Sequence, residues 1–181
     1  IGYTHIRKDF GEKTGLLFSF LALFLPMTVW YSNEIRMYAL GMLLGSFMAI
    51  YAYRIYQGNI KKTTYFLFGV SSLLLAYTHY YGLMLAGIVN LLVFIYLCKN
   101  AKLRKKDLIK FIITAIIQVI CYLPWLIAFI RQLQGVSKGF WISLSFPGTI
   151  YAILTHQYKG NLTYEPIILT TLFYAYITYL V

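Results

Sequence analysis

Long apolar runs alternate with short polar stretches along the chain. Thr14 to Asn33 holds 20 residues without a charge, and Met37 to Tyr53 holds 17. Thr63 to Cys98 is uncharged for 36 residues. At about 1.5 Å of rise per residue that is roughly 54 Å of helix, against a hydrocarbon core of about 30 Å. This run must turn back on itself, and the polar, aromatic Tyr77-Thr78-His79-Tyr80-Tyr81-Gly82 is the expected place. Phe111 to Ile130 is a further run of 20, and Pro166 to Val181 begins another. The alternating segments of about ten residues that mark a membrane barrel are absent. Backbone groups in hydrocarbon must be satisfied within their own element, so the runs read as helices.

The expected fold is an all-α integral membrane protein, a polytopic helical bundle with five complete transmembrane helices and a truncated sixth. The spans fall at about 14–33, 35–56, 63–78, 80–98, 111–130 and 166–181, with an outer loop at 131–165. The chain reads as one transmembrane domain and as a fragment of a longer protein. Pro26 and Pro124 are expected to kink their spans near the outer face. Gly41 and Gly45 form a G-x-x-x-G that lets helices approach closely, read here as packing within the bundle.

Composition agrees with this picture. The chain of 181 residues is 60% hydrophobic and only 12% charged, where soluble domains carry about a quarter. Cys98 and Cys121 sit in or beside apolar runs and read as membrane thiols, not as a disulfide framework. The net charge of +11 would suit nucleic acid if it formed one basic face, but its distribution follows the loops instead. With five spans, 12 of the 16 basic residues fall on one side, among them Arg54, Lys61, Lys62 and the run from Lys99 to Lys110. Arg36, Arg131, Lys138 and Lys159 fall on the other. That bias puts the basic loops in the cytoplasm and excludes a nucleic-acid partner as the reason for the charge. Glu34, Arg36 and His79 then lie on the outer side. Trp30, Tyr31, Tyr77, Tyr80, Tyr81, Trp125 and Trp141 suit an outer aromatic belt, and Asn161-Leu162-Thr163 is a sequon on the same side.

Glu34 is the only acid between Lys13 and Lys106. Ionisable groups at the mouth of membrane helices are rare and usually functional. Such a carboxylate can act as a base, a ligand or an acceptor for a sugar hydroxyl, and an arginine can grip a phosphate. If the second span begins at Glu34, then Tyr38, Gly41 and Gly45 continue its face, while Arg36 lies about 200° round the helix. The two charges then share no face unless the helix starts after Arg36. His79 can ligate metal, donate to a phosphate or cap a helix. One acid and one histidine are too few ligands to support a divalent metal site, and no cofactor is indicated.

Tyr31-Ser32-Asn33-Glu34-Ile35-Arg36-Met37-Tyr38-Ala39-Leu40 resembles the Y-S-Q-E-A-R-x-Y-x-L signature of prokaryotic membrane glycosyltransferases. These are related to the dolichyl-phosphate-mannose protein mannosyltransferases and the aminoarabinose transferases of lipid A. Tyr77-Thr78-His79-Tyr80-Tyr81 is similar to the family's Y-T-H-Y-F. Tyr122-Leu123-Pro124-Trp125 with Arg131-Gln132-Leu133 is similar to its Y-L-P-W…R-Q-L, Trp141-Ile142 to its W-I-P, and Gly11-Glu12-Lys13-Thr14-Gly15 to its G-K-K-x-G. Asn33 stands where the family has Gln, and nothing matches beyond Pro147. The resemblance implies a GT-C-like enzyme of the prokaryotic plasma membrane. It would move a monosaccharide from a polyprenyl-phosphate donor to an acceptor outside the membrane. It further implies that the main acid/base precedes Ile1, that Glu34 is the second outer-loop acid, and that the fragment is inactive alone. Arg36, His79, Tyr38 and Tyr80 would bind substrate, with membrane lipid as the surrounding partner and the acceptor undetermined. The alternative is a polytopic transporter or flippase for a lipid-linked or anionic solute, with Glu34 and Arg36 as a gate. Transporters carry internal repeats and midplane helix breaks, and no such repeat is visible.

Overall fold

The computed structural model describes residues 1–136 apart from Ile35 and Ile60. The sixth span, the sequon, Trp141 and most of the expected outer loop lie outside the described residues. A π-helical turn, Gly2–Ile6, leads into α1 (Arg7–Phe10) and α2 (Glu12–Phe24). Then follow α3 (Pro26–Asn33), α4 (Tyr38–Tyr56), α5 (Lys62–Thr78), α6 (Tyr80–Lys99) and α7 (Ala101–Val136). Among the described residues every element is helical. Among the described residues three helices are long and apolar enough to cross a membrane: Tyr38–Tyr56, Tyr80–Lys99 and Ala101–Gln132 within α7. They point to a membrane protein.

The structure corrects several expected boundaries. The first run is two helices, because Leu25 is extended (φ −61°, ψ 127°). A residue before proline is driven out of the helical region, and Pro26 then starts α3, where its missing N–H costs nothing. α4 begins at Tyr38 instead of 35. The basic stretch before Phe111 is helix, not loop, since α7 starts at Ala101 and runs on past Ile130 to Val136. The non-helical residue inside α7 is Arg104 (φ −122°, ψ 33°), whereas the chain stays helical through Pro124.

α5 is the hub. It packs on α4, α6 and α7, and its Tyr65, Phe68, Ser72 and Leu75 are almost fully buried. Around it Met48 and Ile55 of α4, Leu97 of α6 and Phe111 of α7 complete the core. Lipid tails are as apolar as these side chains, so close packing and hydrogen bonds must hold the helices together. Gly41 and Gly45 supply the closeness, facing Leu75 and Thr78 of α5 and Leu85 of α6. Asn90 of α6 supplies hydrogen bonds, donating to the Ser72 hydroxyl at 2.8 Å and to the Gln118 amide oxygen at 3.4 Å.

One end of the bundle is tied by Arg104. Its Nε donates to Asp107 Oδ2 at 2.8 Å. Its two terminal nitrogens donate to the carbonyls of Tyr56 (3.1 Å) and Ile55 (2.7 Å). Those carbonyls belong to the last turn of α4, where few helical donors remain, and that of Ile55 also accepts from the Gly58 N–H at 3.1 Å. Near the same end Arg54 Nε meets Asp9 Oδ2 at 2.7 Å, both mostly buried, which fastens the N-terminal segment to α4. His5 lies beside them, edge-on to Phe47 and Tyr51.

Two predictions follow from this packing. A Cβ on Gly82 would press into the backbone carbonyl of Leu75, whereas one on Gly87 meets open space. Gly82→Ala should therefore lower stability by about 1–3 kcal/mol, and Gly87→Ala should leave it unchanged or raise it by up to about 1 kcal/mol. Equilibrium unfolding of the two variants in detergent checks this. Burial, and then the Arg54 charge, lowers the His5 pKa below its usual value. The neutral ring is thus favoured in the fold. Its contribution is present above the unfolded value of about 6.5 and lost as pH falls through the lower folded value. Melting between pH 8 and pH 5 should show an acid decline that His5→Gln flattens.

Candidate functional site

At the other end of the bundle, α3 closes with Asn33 and α4 opens with Tyr38. The residues between make a tight corner. Glu34 is extended (φ −75°, ψ 131°), and the Arg36 N–H donates to the Glu34 carbonyl at 2.7 Å. This corner overturns the helical placement of Glu34 on one face with Tyr38, Gly41 and Gly45. It meets instead the condition under which both charges can share a site, a helix that starts after Arg36. Arg36 Nε stands 3.9 Å from Glu34 Oε2. That is an ionic contact and too long for a hydrogen bond.

The two carboxylate oxygens of Glu34 have different surroundings. Oε1 accepts from Trp30 Nε1 at 3.3 Å. Oε2 is shielded from solvent and has no hydrogen-bond partner. A carboxylate oxygen left this way loses the hydration it had in water, so it attracts any donor that can reach it. The Arg36 side chain is the more open of the pair, 64% exposed against 32% for Glu34. The corner thus presents an acceptor oxygen and a positively charged fork side by side.

Aromatic rings link this corner to the α5–α6 turn. Tyr38 packs on Tyr31 (ring centroids 4.6 Å) and lies 6.3 Å from the His79 ring. His79 is the reversal point between α5 and α6, with extended backbone (φ −165°, ψ 156°). Its Nδ1 accepts from the Tyr81 N–H at 3.2 Å, so the side chain caps α6. An Nδ1 that accepts puts the neutral ring's proton on Nε2, leaving that nitrogen as the donor. His79 also stacks on Tyr81 at 5.1 Å. The Tyr80 ring lies 6.0 Å from that of His79 and 5.3 Å from that of Phe129 of α7. Glu34, Arg36, Tyr38, His79 and Tyr80 therefore sit at one end of the bundle. Glu34 and Arg36 touch, Tyr38 bridges to His79, and Tyr80 links His79 to Phe129 of α7.

The third sequence motif joins through Tyr77. Its hydroxyl donates to the Cys121 carbonyl at 2.6 Å, and its ring meets Tyr122 and Trp125. Pro124 has no N–H to return to the Ile120 carbonyl, and the carbonyl that Tyr77 reaches is the next one along. Next to this contact a cavity of about 370 Å³ opens between α5, α6 and α7. Its lining is apolar apart from Ser72, Asn90, Gln118 and the Tyr122 side chain. Trp30 and Tyr77 were read from the sequence as belt residues. The spacing of Trp30 four residues before Glu34 was the available signal for its hydrogen bond, since such positions are neighbours on a helix. Among the described residues no three His, Cys, Asp or Glu side chains gather as a metal site would need. Cys98 and Cys121 are both free thiols.

Comparison with protein-family models, curated proteins and solved structures finds no match to this chain.

The cap can be separated from any chemical role of His79. His79→Asn keeps a side-chain acceptor at the helix start, and His79→Ala removes it. The alanine variant should lose about 1 kcal/mol of stability and the asparagine variant a few tenths, measured by thermal unfolding in detergent.

Proposed function

We propose that the chain is the membrane part of a GT-C-like glycosyltransferase using a polyprenyl-phosphate sugar. The observation that carries this reading is the Glu34 corner: a carboxylate oxygen with no hydrogen-bond partner beside an exposed guanidinium, at the end of an apolar bundle. The order of the motifs supports it, and three of the five, at Glu34, His79 and Pro124, lie at the same end of the bundle. In this proposal α2 and α3 together, then α4, α5, α6 and α7, make five crossings. The Arg104 end faces the cytoplasm and the Glu34 end faces outward, following the bias of basic residues.

Sugar transfer forms a bond from an acceptor oxygen to the anomeric carbon and breaks the bond from that carbon to the donor phosphate. The phosphate leaves with the bonding electrons and gains negative charge, and the acceptor proton passes to a base. Arg36 is the cation placed to stabilise the leaving phosphate. Glu34 accepts the hydrogen bond of the incoming hydroxyl and so orients it, while the resemblance assigns the principal base to a preceding outer loop. The Nε2–H of His79 is a second donor for the phosphate, Tyr38 and Tyr80 are aromatic surfaces for the sugar, and the neighbouring apolar cavity suits the polyprenyl chain.

Membranes containing the complete gene product, supplied with radiolabelled polyprenyl-phosphate sugar, test the proposal. Glu34→Gln keeps the Trp30 hydrogen bond and removes the charge. It should reduce transfer by about 10²-fold or more, within the range of a lost acid or base group. Arg36→Lys should reduce it less than Arg36→Gln. Undiminished transfer by the glutamine variant removes Glu34 from the chemistry. No transfer by the wild type, together with movement of the lipid across the membrane, favours a flippase.

A further inference from the structure

The Arg104 end carries a second hollow. Between α5 and α7 the surface is recessed into a groove of about 390 Å³. Its walls are Phe66, Val70, Ile113 and Ile117, all exposed. Its floor is the close approach of Gly69 to Thr114, where a Cβ on the glycine would come within 2.7 Å of the threonine methyl. Lys62 and Lys110 stand at one end, and the Lys110 ammonium lies over the Tyr65 ring at 5.6 Å from its centroid.

Length and charge together select the occupant. Along α5 the groove runs from Lys62 to Leu73, which at the helical rise is roughly 16 Å. That is about half of the 30 Å hydrocarbon thickness, the reach of one acyl chain within one leaflet. The polar end is cationic. Asp107, three residues before Lys110, pairs with Arg104 at 2.6 Å, while Lys61 precedes Lys62 and Lys106 lies about one helical turn before Lys110. Basic residues near a membrane surface attract anionic headgroups.

We propose that this groove holds one acyl chain of an anionic phospholipid, with the headgroup phosphate on Lys62 and Lys110. The site is at the opposite end of the bundle from Glu34, so its failure would leave the glycosyl-transfer reading untouched.

The test is native mass spectrometry of the delipidated 181-residue chain titrated with phosphatidylglycerol or phosphatidylcholine of equal chain length. The expected result is one phosphatidylglycerol retained under conditions that strip phosphatidylcholine. Lys62→Gln with Lys110→Gln should weaken that retention roughly thirtyfold, the effect expected for two basic side chains near an anionic group. Ile117→Trp fills the groove with both lysines intact and should abolish the preference; thermal unfolding of each variant verifies its fold. Equal retention of the two lipids, or unchanged phosphatidylglycerol retention in both variants, overturns the proposal and leaves the groove to a protein segment.

Discussion

Burying an arginine among apolar helices is tolerable only if its donors are all used, and Arg104 meets that condition by reaching across to another helix. It pairs with Asp107 one turn along its own helix and covers the last carbonyls of α4. Leaving either partner alone would cost several kcal/mol, because a lone buried charge is far more expensive than a pair. The contact therefore fixes the start of α7 against the end of α4. With α5 gripped between them, the register of all four long helices is set from this end. The Glu34 corner, the His79 turn and the Pro124 region come together at the far end as a result.

Much of that arrangement was readable in advance, and the reasons differ by residue. The reversal at His79 follows from length alone, since 36 uncharged residues cannot cross once. The break at Pro26 follows from the geometry of any residue before proline. The Glu34–Arg36 contact depended on where α4 starts. Met37 precedes that helix without a side-chain cap, so no Ser, Thr, Asp or Asn marked the boundary. Arg104 was hidden for another reason. Its carbonyl partners are 48 and 49 residues away in the chain, and a lysine-rich neighbourhood made it look like one more topogenic charge.

The two ends of the bundle put charge to opposite uses. At one end the arginines are matched, Arg104 with Asp107 and two carbonyls and Arg54 with Asp9, while Asp107 Oδ1 is buried without a hydrogen-bond partner. At the other, Glu34 and Arg36 stand 3.9 Å apart in an ionic contact, with Glu34 Oε2 likewise without a hydrogen-bond partner. The two pairs differ in exposure, since Arg104 and Asp107 are mostly buried whereas the Arg36 side chain is 64% exposed.

The Tyr77 hydroxyl on the Cys121 carbonyl couples one helix to another. A helix normally sets its own straightness through its internal ladder, and Pro124 removes the rung to Ile120. Tyr77 reaches the next carbonyl along from α5 and packs its ring on Tyr122 and Trp125. The weakened turn of α7 is thus splinted from the helix that ends at His79.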